Sequence, residues 1–353
     1  MSASVAEGAD SAARHRGARV SQENRTLAIT VVGVLAFVFA FVASNVGASH
    51  QPKPHRLPIG IVGPPQVVRA ATGQLARSAP GAYQVNAYSS PALARTAVLH
   101  REVYGAYEPS ARPSLLVASA ASRPVEQILQ ASFQGVARAH GQRLVARDLA
   151  PLPPSDSSGS TAFSALLSLV LAGLFGTSLV YQVTQRRPLR VRLAALLVLG
   201  VGAGLVAALA TNVVVGAYSG HFAPVWGVAT LFVLAIALPV AAFQVMLGLP
   251  GTVIGALLFV VIGNPASGGP SAPELLPAFW RHVSQVLPPG AANTAMRDVV
   301  YFDGHGANGA LVVLMTSAVL GAAAHSLQSR HQPEPAGSGA PAVGYPADSS
   351  TSH

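Results

Sequence analysis

Residues Leu27–Val46, LAITVVGVLAFVFAFVASNV, are the first long apolar run of the chain and contain no charged residue. An uncharged apolar stretch of 18 or more residues can cross the roughly 30 Å hydrocarbon core of a bilayer as a helix. A more polar segment, residues 50–160, follows this run. After Ala162 the chain is apolar again almost to Leu327. The order is therefore one span, a foldable polar domain and then a bundle of spans.

The composition places the chain in a bilayer. Hydrophobic residues make up 51% of it and charged residues 10%, whereas soluble domains carry about a quarter charged residues. The run bounded by Gly248, Pro250 and Gly251 is the shortest of the candidate spans. We predict an α-helical membrane protein with six transmembrane helices and an inserted extracellular α/β domain. The six predicted spans are residues 27–48, 162–184, 193–217, 223–246, 248–264 and 307–327.

Arginines set the predicted orientation, because short loops rich in Lys and Arg stay in the cytoplasm. Arg186, Arg187, Arg190 and Arg192 lie between the second and third spans. We therefore expect a cytoplasmic disordered leader (1–25), transmembrane helix 1 (26–49), an extracellular domain (50–160), a five-helix transmembrane bundle (161–327) and a cytoplasmic disordered tail (328–353). A cleavable signal is the alternative for the first span, but its length favours an uncleaved anchor.

The extracellular domain has an alternating pattern of strands and helices. Such alternation indicates βαβ units and a sheet with parallel pairing. The predicted strands are Leu57–Val62, Tyr83–Tyr88, Ser114–Ala118 and Leu144–Asp148, and the predicted helices are Pro65–Ala79, Pro91–Tyr107 and Val125–His140.

Several functions are disfavoured by what the sequence contains. The net charge is +9, but the basic residues are scattered, so we expect no nucleic-acid partner. Lys53 is the only lysine and does not lie in a Walker A loop. His50 and His55 are weak metal candidates, and His100 lies on a predicted solvated helix face. We expect no enzyme activity, no cofactor and no bound metal.

The predicted bundle carries few polar groups. No Asp, Glu, Lys or Arg lies between Arg192 and Glu274, which disfavours a proton pump or an ion channel. Thr211, Asn212 and Gln244 are expected to join helices by hydrogen bonds, with substrate binding as the alternative. The pair at positions 200 and 204, GVGAG, is a small-residue motif for helix packing or for dimerisation.

The segment before the last span, residues 272–303, is predicted to form an external helical hairpin. Glu274–Leu287 is amphipathic, and Trp280 is typical of a membrane interface. Pro288, Pro289 and Gly290 are expected to form the turn, and a second helix carrying Arg297 and Asp298 follows it. We expect a shallow cap over the outer end of the bundle.

Together these features resemble the type 2 ABC exporter permeases, and in particular the subgroup with a domain between the first two spans, which includes the phage-infection-protein (YhgE/Pip) family and actinobacterial membrane proteins. The strongest matching stretches are Leu287–Ala292 and Met296–Phe302. Weaker ones are Leu57–Val62, Val103–Ala106 and Leu115–Ser122.

The resemblance implies a multi-pass subunit of the bacterial plasma membrane with both termini in the cytoplasm. It also implies a homodimer or heterodimer that exports an amphipathic or lipid-like substrate. A separate ATP-binding subunit would dock at the loop Gln185–Arg192. The alternative function is an orphan envelope protein whose extracellular domain binds a phage, a wall component or another protein without transport.

Overall fold

The computed structural model describes residues 2–50 and 52–331. The helices are α1 Ser2–Ser49, α2 Pro65–Ser78, α3 Pro91–Leu99, α4 Arg123–Ala139, α5 Thr161–Thr184, α6 Leu189–Leu209, α7 Phe222–Leu247, α8 Leu249–Ala256, α9 Gly263–Ala266, α10 Ala278–Val286, α11 Pro288–Tyr301 and α12 Ala307–His331. The strands are β1 Leu57–Val62, β2 Tyr83–Tyr88, β3 Gly105–Glu108, β4 Ser114–Val117 and β5 Val145–Asp148.

At both ends of the chain the structure has helix where we predicted disorder. We predicted a leader without regular structure, but α1 is continuous from Ser2 to Ser49. Of the predicted disordered tail, residues 328–331 belong to α12, and residues 332–353 lie outside the described residues.

The chain is a helical membrane protein, and residues 2–50 and 52–331 contain five helices long and apolar enough to cross a bilayer. They are Gln22–Ser49, Thr161–Thr184, Leu189–Val214, Phe222–Leu247 and Ala307–Gln328. The remaining predicted span, residues 248–264, corresponds to a shorter apolar helix, Pro250–Ala266. It consists of α8, a π-helical segment Leu257–Ile262 and α9.

Helix α7 is the centre of the bundle and contacts α5, α6, α11 and α12. Pro239 inside α7 has no N–H, so the carbonyl of Ala235 one turn earlier loses its partner within the helix. The hydroxyl of Ser317 in α12 donates to that carbonyl at 2.8 Å. A Cβ atom at Gly321 would lie 2.4 Å from the Pro239 nitrogen. The Ser317 hydroxyl therefore replaces the hydrogen bond that is lost at Pro239, and the missing side chain of Gly321 allows α12 to lie close enough to α7.

The small-residue motif of α6 also packs inside the chain. A Cβ at Gly200 would lie 2.7 Å from the Leu234 side chain, and one at Gly204 would lie 2.3 Å from the Thr230 hydroxyl oxygen. Leu234 and Thr230 belong to α7, so both glycines allow α6 to approach α7 closely. This contact confirms the packing interpretation of the motif, because the same faces are not free for dimerisation.

Only one of the three predicted intramembrane polar residues joins helices. The Gln244 amide in α7 donates to the hydroxyls of Ser178 in α5, at 2.9 Å, and Thr252 in α8, at 2.8 Å. The side chains of Thr211 and Asn212 instead donate to carbonyls one turn earlier in their own helical segment. The prediction of helix-joining hydrogen bonds is therefore confirmed for Gln244 and wrong for the other two.

The sheet between α1 and α5 has five strands in the order β2-β1-β3-β4-β5. The β3–β4 pair is antiparallel, and the other three pairs are parallel. The predicted helix Pro91–Tyr107 is wrong in its second half. Helix α3 ends at Leu99, Arg101 takes a left-handed conformation with φ 65°, and the chain returns as strand β3.

The sheet packs on a hydrophobic core in which Ile59, Ile61 and Leu115 are fully buried, and Leu275 and Phe302 from outside the sheet belong to the same core. Gly60 allows β3 to lie close, because a Cβ there would be 2.9 Å from both the Ala106 Cβ and the Tyr88 ring. We call residues 55–150 the sheet domain. Its strands β1 and β3 begin next to the segment that precedes α10, where the backbone N–H of His55 donates to the Glu274 carbonyl at 2.9 Å.

Candidate functional site at the junction of sheet domain and bundle

Helices α10 and α11 form a hairpin, but it differs from the predicted shallow cap. Pro288 and Pro289 are the first residues of α11 instead of the turn, since proline suits the first helical positions where no N–H is needed. Leu287 alone connects the two helices. A Cβ at Gly290 would lie 2.2 Å from the Ser284 carbonyl oxygen, so this glycine permits the sharp reversal.

The two helices of the hairpin have different surroundings. Most of α11, from Pro288 to Asp298, is buried, and α11 contacts α5, α7 and α12. Helix α10 buries only Ser284, while Trp280 is half-buried against the exposed ring of Phe279 at 5.1 Å. Helix α11 is therefore a packed part of the bundle, and α10 is its exposed arm.

An ion pair joins the sheet domain to α11. The Arg101 Nε donates to the Asp298 Oδ1 at 2.8 Å, and the exposed fractions of the two side chains are 12% and 1%. The Arg101 guanidinium also lies 5.2 Å from the ring centre of Tyr104 and 5.1 Å from that of Phe302. Cation–π contacts of this kind strengthen when the cation is removed from water.

A second contact between the two parts is a charge-assisted hydrogen bond. The Tyr104 hydroxyl donates to the Glu274 Oε2 at 2.7 Å. Tyr104 is buried next to β3, and Glu274 precedes α10. Burial, followed by the charge of Glu274, raises the pKa of the Tyr104 hydroxyl, so this hydroxyl remains a donor at physiological pH.

Arg297 ties three segments of the chain to α11 through their carbonyl oxygens. Its Nη1 donates to Ala121 of the sheet domain at 3.1 Å, and its Nη2 donates to Gly159 at 3.1 Å and Gly269 at 3.2 Å. The side chain is buried, and its Nε has no hydrogen-bond partner among the described residues. Burial and the nearby Arg101 lower the pKa of the Arg297 guanidinium.

The linker between the sheet domain and α5 is fixed at the same place. The buried Asp156 accepts hydrogen bonds at Oδ1 from the backbone N–H groups of Ser160, at 2.9 Å, and Thr161, at 3.2 Å. A carboxylate at a helix N-terminus satisfies free N–H groups and is favoured by the helix dipole. The Asp156 carboxylate therefore fixes the chain between the sheet domain and α5 at the start of that helix.

We call Arg101, Tyr104, Glu274, Arg297 and Asp298 the polar junction. Burial raises the pKa of the Asp298 carboxyl above its ordinary value, and Arg101 and Arg297 offset part of that rise. The Asp298 Oδ2 has no partner among the described residues. The junction is therefore a set of buried charges that is stable only while its two sides stay together, since separating a buried pair leaves an uncompensated charge.

The predicted arginine loop lies at the opposite end of the bundle, because the 24-residue helix α5 is about 36 Å long. Only Gln185–Pro188 separate α5 from α6, so Arg190 and Arg192 belong to the first turn of α6. Arg186, Arg187 and Arg190 are exposed. The buried Arg192 donates to the carbonyls of Thr184, at 3.1 Å, and Gln185, at 3.3 Å, so it caps the C-terminus of α5.

The predicted hairpin residues and the arginine loop are thus two separate sites. Of the hairpin residues, the structure brings Arg297 and Asp298 into the junction, and it leaves Trp280 on the half-exposed helix α10. Arg101, Tyr104 and Glu274 were not predicted to belong to the polar junction. No local signal marked Arg101, because it lies between His100 and Glu102 in a polar stretch that we interpreted as a solvated helix face.

The polar junction consists of hydrogen bonds and an ion pair between the sheet domain and the rest of the chain. The described residues contain no group of three or more His, Cys, Asp or Glu side chains that could hold a metal ion. No family model, no curated protein and no solved structure matches this chain.

Proposed function

We propose that the chain is a permease-like integral membrane subunit that exports an amphipathic or lipid-like substrate, powered by a separate ATPase. The observation that carries this proposal is the buried helix α11, which packs in the end of a membrane bundle and is joined to the sheet domain by the polar junction. In this proposal, α11 and the polar junction would close one end of the helical bundle.

We further propose six crossings, with the sheet domain outside. Helix α7 ends at Leu247 at the arginine-loop end of the bundle, and Pro250–Ala266 follows it directly. Asn293 in α11 donates to the carbonyls of Ser267, at 3.0 Å, and Gly269, at 2.8 Å. These contacts support a traverse of the bundle by this short helix. Irregular backbone is tolerated at membrane depth only where neighbouring protein or water covers it. The π-helical segment Leu257–Ile262 is therefore compatible with a crossing that is packed against other helices.

In the proposed mechanism, force enters at the arginine loop and α11 responds at the opposite end. Exposed Arg186, Arg187 and Arg190 would contact acidic groups of the ATPase, and Arg192 would hold the end of α5 in place. Helices α5 and α7 contact α11, so a tilt of either helix moves the closure. The single bundle would supply half of a pathway, and a homodimer or heterodimer would complete it.

The alternative is an orphan envelope protein whose sheet domain binds a partner without transport. One observation favours it: the connection Gln185–Pro188 is too short to contain a coupling helix. In that case the polar junction only holds the sheet domain in a fixed orientation above the bilayer.

Co-purification decides between the two functions. The chain is tagged, extracted from its native membranes in mild detergent and tested for an associated ATP-hydrolysing subunit. We expect such a subunit with the unaltered chain and its loss when Arg186, Arg187 and Arg190 are changed to Ala. A matched control changes three exposed arginines of the sheet domain, Arg69, Arg77 and Arg138, and retains the subunit. If no ATP-hydrolysing subunit accompanies the unaltered chain, the export proposal fails.

A further inference from the structure

A partly open cavity of about 210 Å³ lies where the first span meets the bundle. Its walls come from the end of α1, the start of α5 and the segment from α9 to the residues before α10. A single water needs only roughly 10–15 Å³, whereas pockets for drug-sized ligands start at about 300 Å³. The cavity therefore has room for a polar group of several atoms and not for a whole lipid.

The polar groups of the cavity are uncharged. Asn45, Ser49, Asn264 and Ser271 contribute amides and hydroxyls, and no charged side chain is among the described residues that line it. Asn264 is 6% exposed, and its Nδ2 reaches the Asn45 Oδ1 only at 3.4 Å. A hydrogen bond of this length is weak. The Asn45 Nδ2 also donates to the Phe41 carbonyl at 2.9 Å, so the weakly bonded Asn264 amide is the group best placed to bind a hydroxyl or carbonyl group of a ligand. Nothing in the cavity would balance a charge.

The cavity lies beside helices with exposed apolar side chains. Helix α1 makes its main contacts with Leu257–Ile262 and α9, and before Phe41 it exposes residues such as Leu35 (62%) and Phe39 (75%). On the bundle side, Val253 and Ile254 of α8 are exposed too. The exposed apolar side chains of α1 and α8 therefore face the bilayer, where acyl chains can lie against them.

We propose that this cavity binds the headgroup of an uncharged, hydroxyl-bearing lipid, with the acyl chains lying along the exposed apolar surface of α1. The amide and hydroxyl lining matches a glycerol-type or sugar-type headgroup. Burying an anionic phosphate there without a cation would be costly. The inference deepens the proposed function by naming a lipid class and a place. It is tested without an ATPase, so its failure and the failure of the export proposal are distinguishable.

The test uses the full-length protein in phosphatidylcholine nanodiscs that contain a photoactivatable dioleoylglycerol. After irradiation, the labelled peptides are identified by mass spectrometry. We expect labelling to concentrate in residues 41–50 and 263–276. Unlabelled dioleoylglycerol should compete for this labelling and phosphatidylglycerol should not.

Two variants make the test specific. Ser49 is exposed at the edge of the cavity, so Ser49→Trp fills the cavity without removing a buried contact. It should lower the labelling of both segments about tenfold, which corresponds to about 1.4 kcal/mol of binding free energy. Val46→Trp alters a neighbouring exposed residue that does not line the cavity and should leave labelling unchanged. Labelling spread evenly along the exposed helices, equal competition by phosphatidylglycerol, or full labelling of Ser49→Trp would each overturn the proposal.

Discussion

The Arg101–Asp298 pair should contribute a large coupling energy between the sheet domain and helix α11. Its atoms lie 2.8 Å apart, and the Asp298 side chain is 1% exposed. Removing one partner of a buried pair costs about 3–5 kcal/mol, because it leaves the other charge buried and unpaired. Arg101→Met keeps an apolar stem between Tyr104 and Phe302, and Asp298→Asn keeps the shape of the carboxyl group. Each should lower the free energy of unfolding by a few kcal/mol.

The double variant separates the pair from its surroundings. When both charges are gone, neither is left unpaired, so the double variant should lose less than the sum of the single variants. Close charge pairs at protein interfaces show coupling energies of about 1.5–7 kcal/mol, and we expect a value of about 2 kcal/mol or more here. The measurement is reversible unfolding in mixed micelles with increasing dodecyl sulfate, followed by Trp fluorescence, since Trp280 lies in the adjoining helix α10.

The chain offers a matched control pair. Arg123 and Glu126 lie one turn apart in α4 at 3.5 Å, and although the Glu126 side chain is 11% exposed, the Arg123 side chain is 46% exposed, so water reaches the pair. Exposed helical pairs contribute about 0.3–0.5 kcal/mol. The cycle of Arg123→Met and Glu126→Gln should therefore give a coupling energy near that value. A coupling energy at Arg101 and Asp298 no larger than the control value would refute the argument that the junction holds the two parts together.

Three further changes test other contacts. Tyr104→Phe removes the hydrogen bond to the Glu274 carboxylate and should cost about 1.5–3 kcal/mol in the same unfolding assay. The control Tyr83→Phe loses only a neutral hydrogen bond to Ser132 and should cost about 1 kcal/mol. Equal costs would contradict a charge-assisted hydrogen bond at Tyr104. Ser317→Ala leaves the Ala235 carbonyl without its donor and should lower the free energy of unfolding by about 0.6 kcal/mol, an average for such bonds in membranes. An unchanged free energy of unfolding would mean that water or another group replaces the hydroxyl. Gly321→Val should abolish a monodisperse peak in size-exclusion chromatography, because its side chain would overlap the α7 backbone, and an unchanged peak would show that α12 can shift away.

The sequence predicted those parts of the fold that depend on local periodicity. Strands Leu57–Val62 and Tyr83–Tyr88 match the structure at both ends, because alternation and flanking turn residues mark them clearly. Strand β3 was wrongly predicted as part of the helix Pro91–Tyr107. Its start depends on the left-handed turn at Arg101, and the ion pair to a residue far along the chain accompanies that turn.

The candidate site was only half predictable for the same reason. Arg297 and Asp298 were predicted only as charged residues on the second helix of the external hairpin, with no contacts assigned to them. Their partners come from the sheet domain and from loop carbonyls, and no local pattern indicates such distant contacts. The prolines at 288 and 289 show a further limit, since proline begins a helix as readily as it forms a turn, and the packing of α11 decides between the two.

Membrane sidedness tests the account most directly, because the export proposal needs the sheet domain and the hairpin on one face and the arginine loop on the other. The chain contains no cysteine, so single cysteines can be introduced without removing others. Exposed positions suit this purpose: Ser110 in the sheet domain, Gln285 in α10 and Arg187 in the loop. We expect a membrane-impermeant maleimide to label Ser110→Cys and Gln285→Cys in intact cells and Arg187→Cys only after permeabilisation. Labelling of Arg187→Cys in intact cells, or protection of either of the other two, would contradict the account.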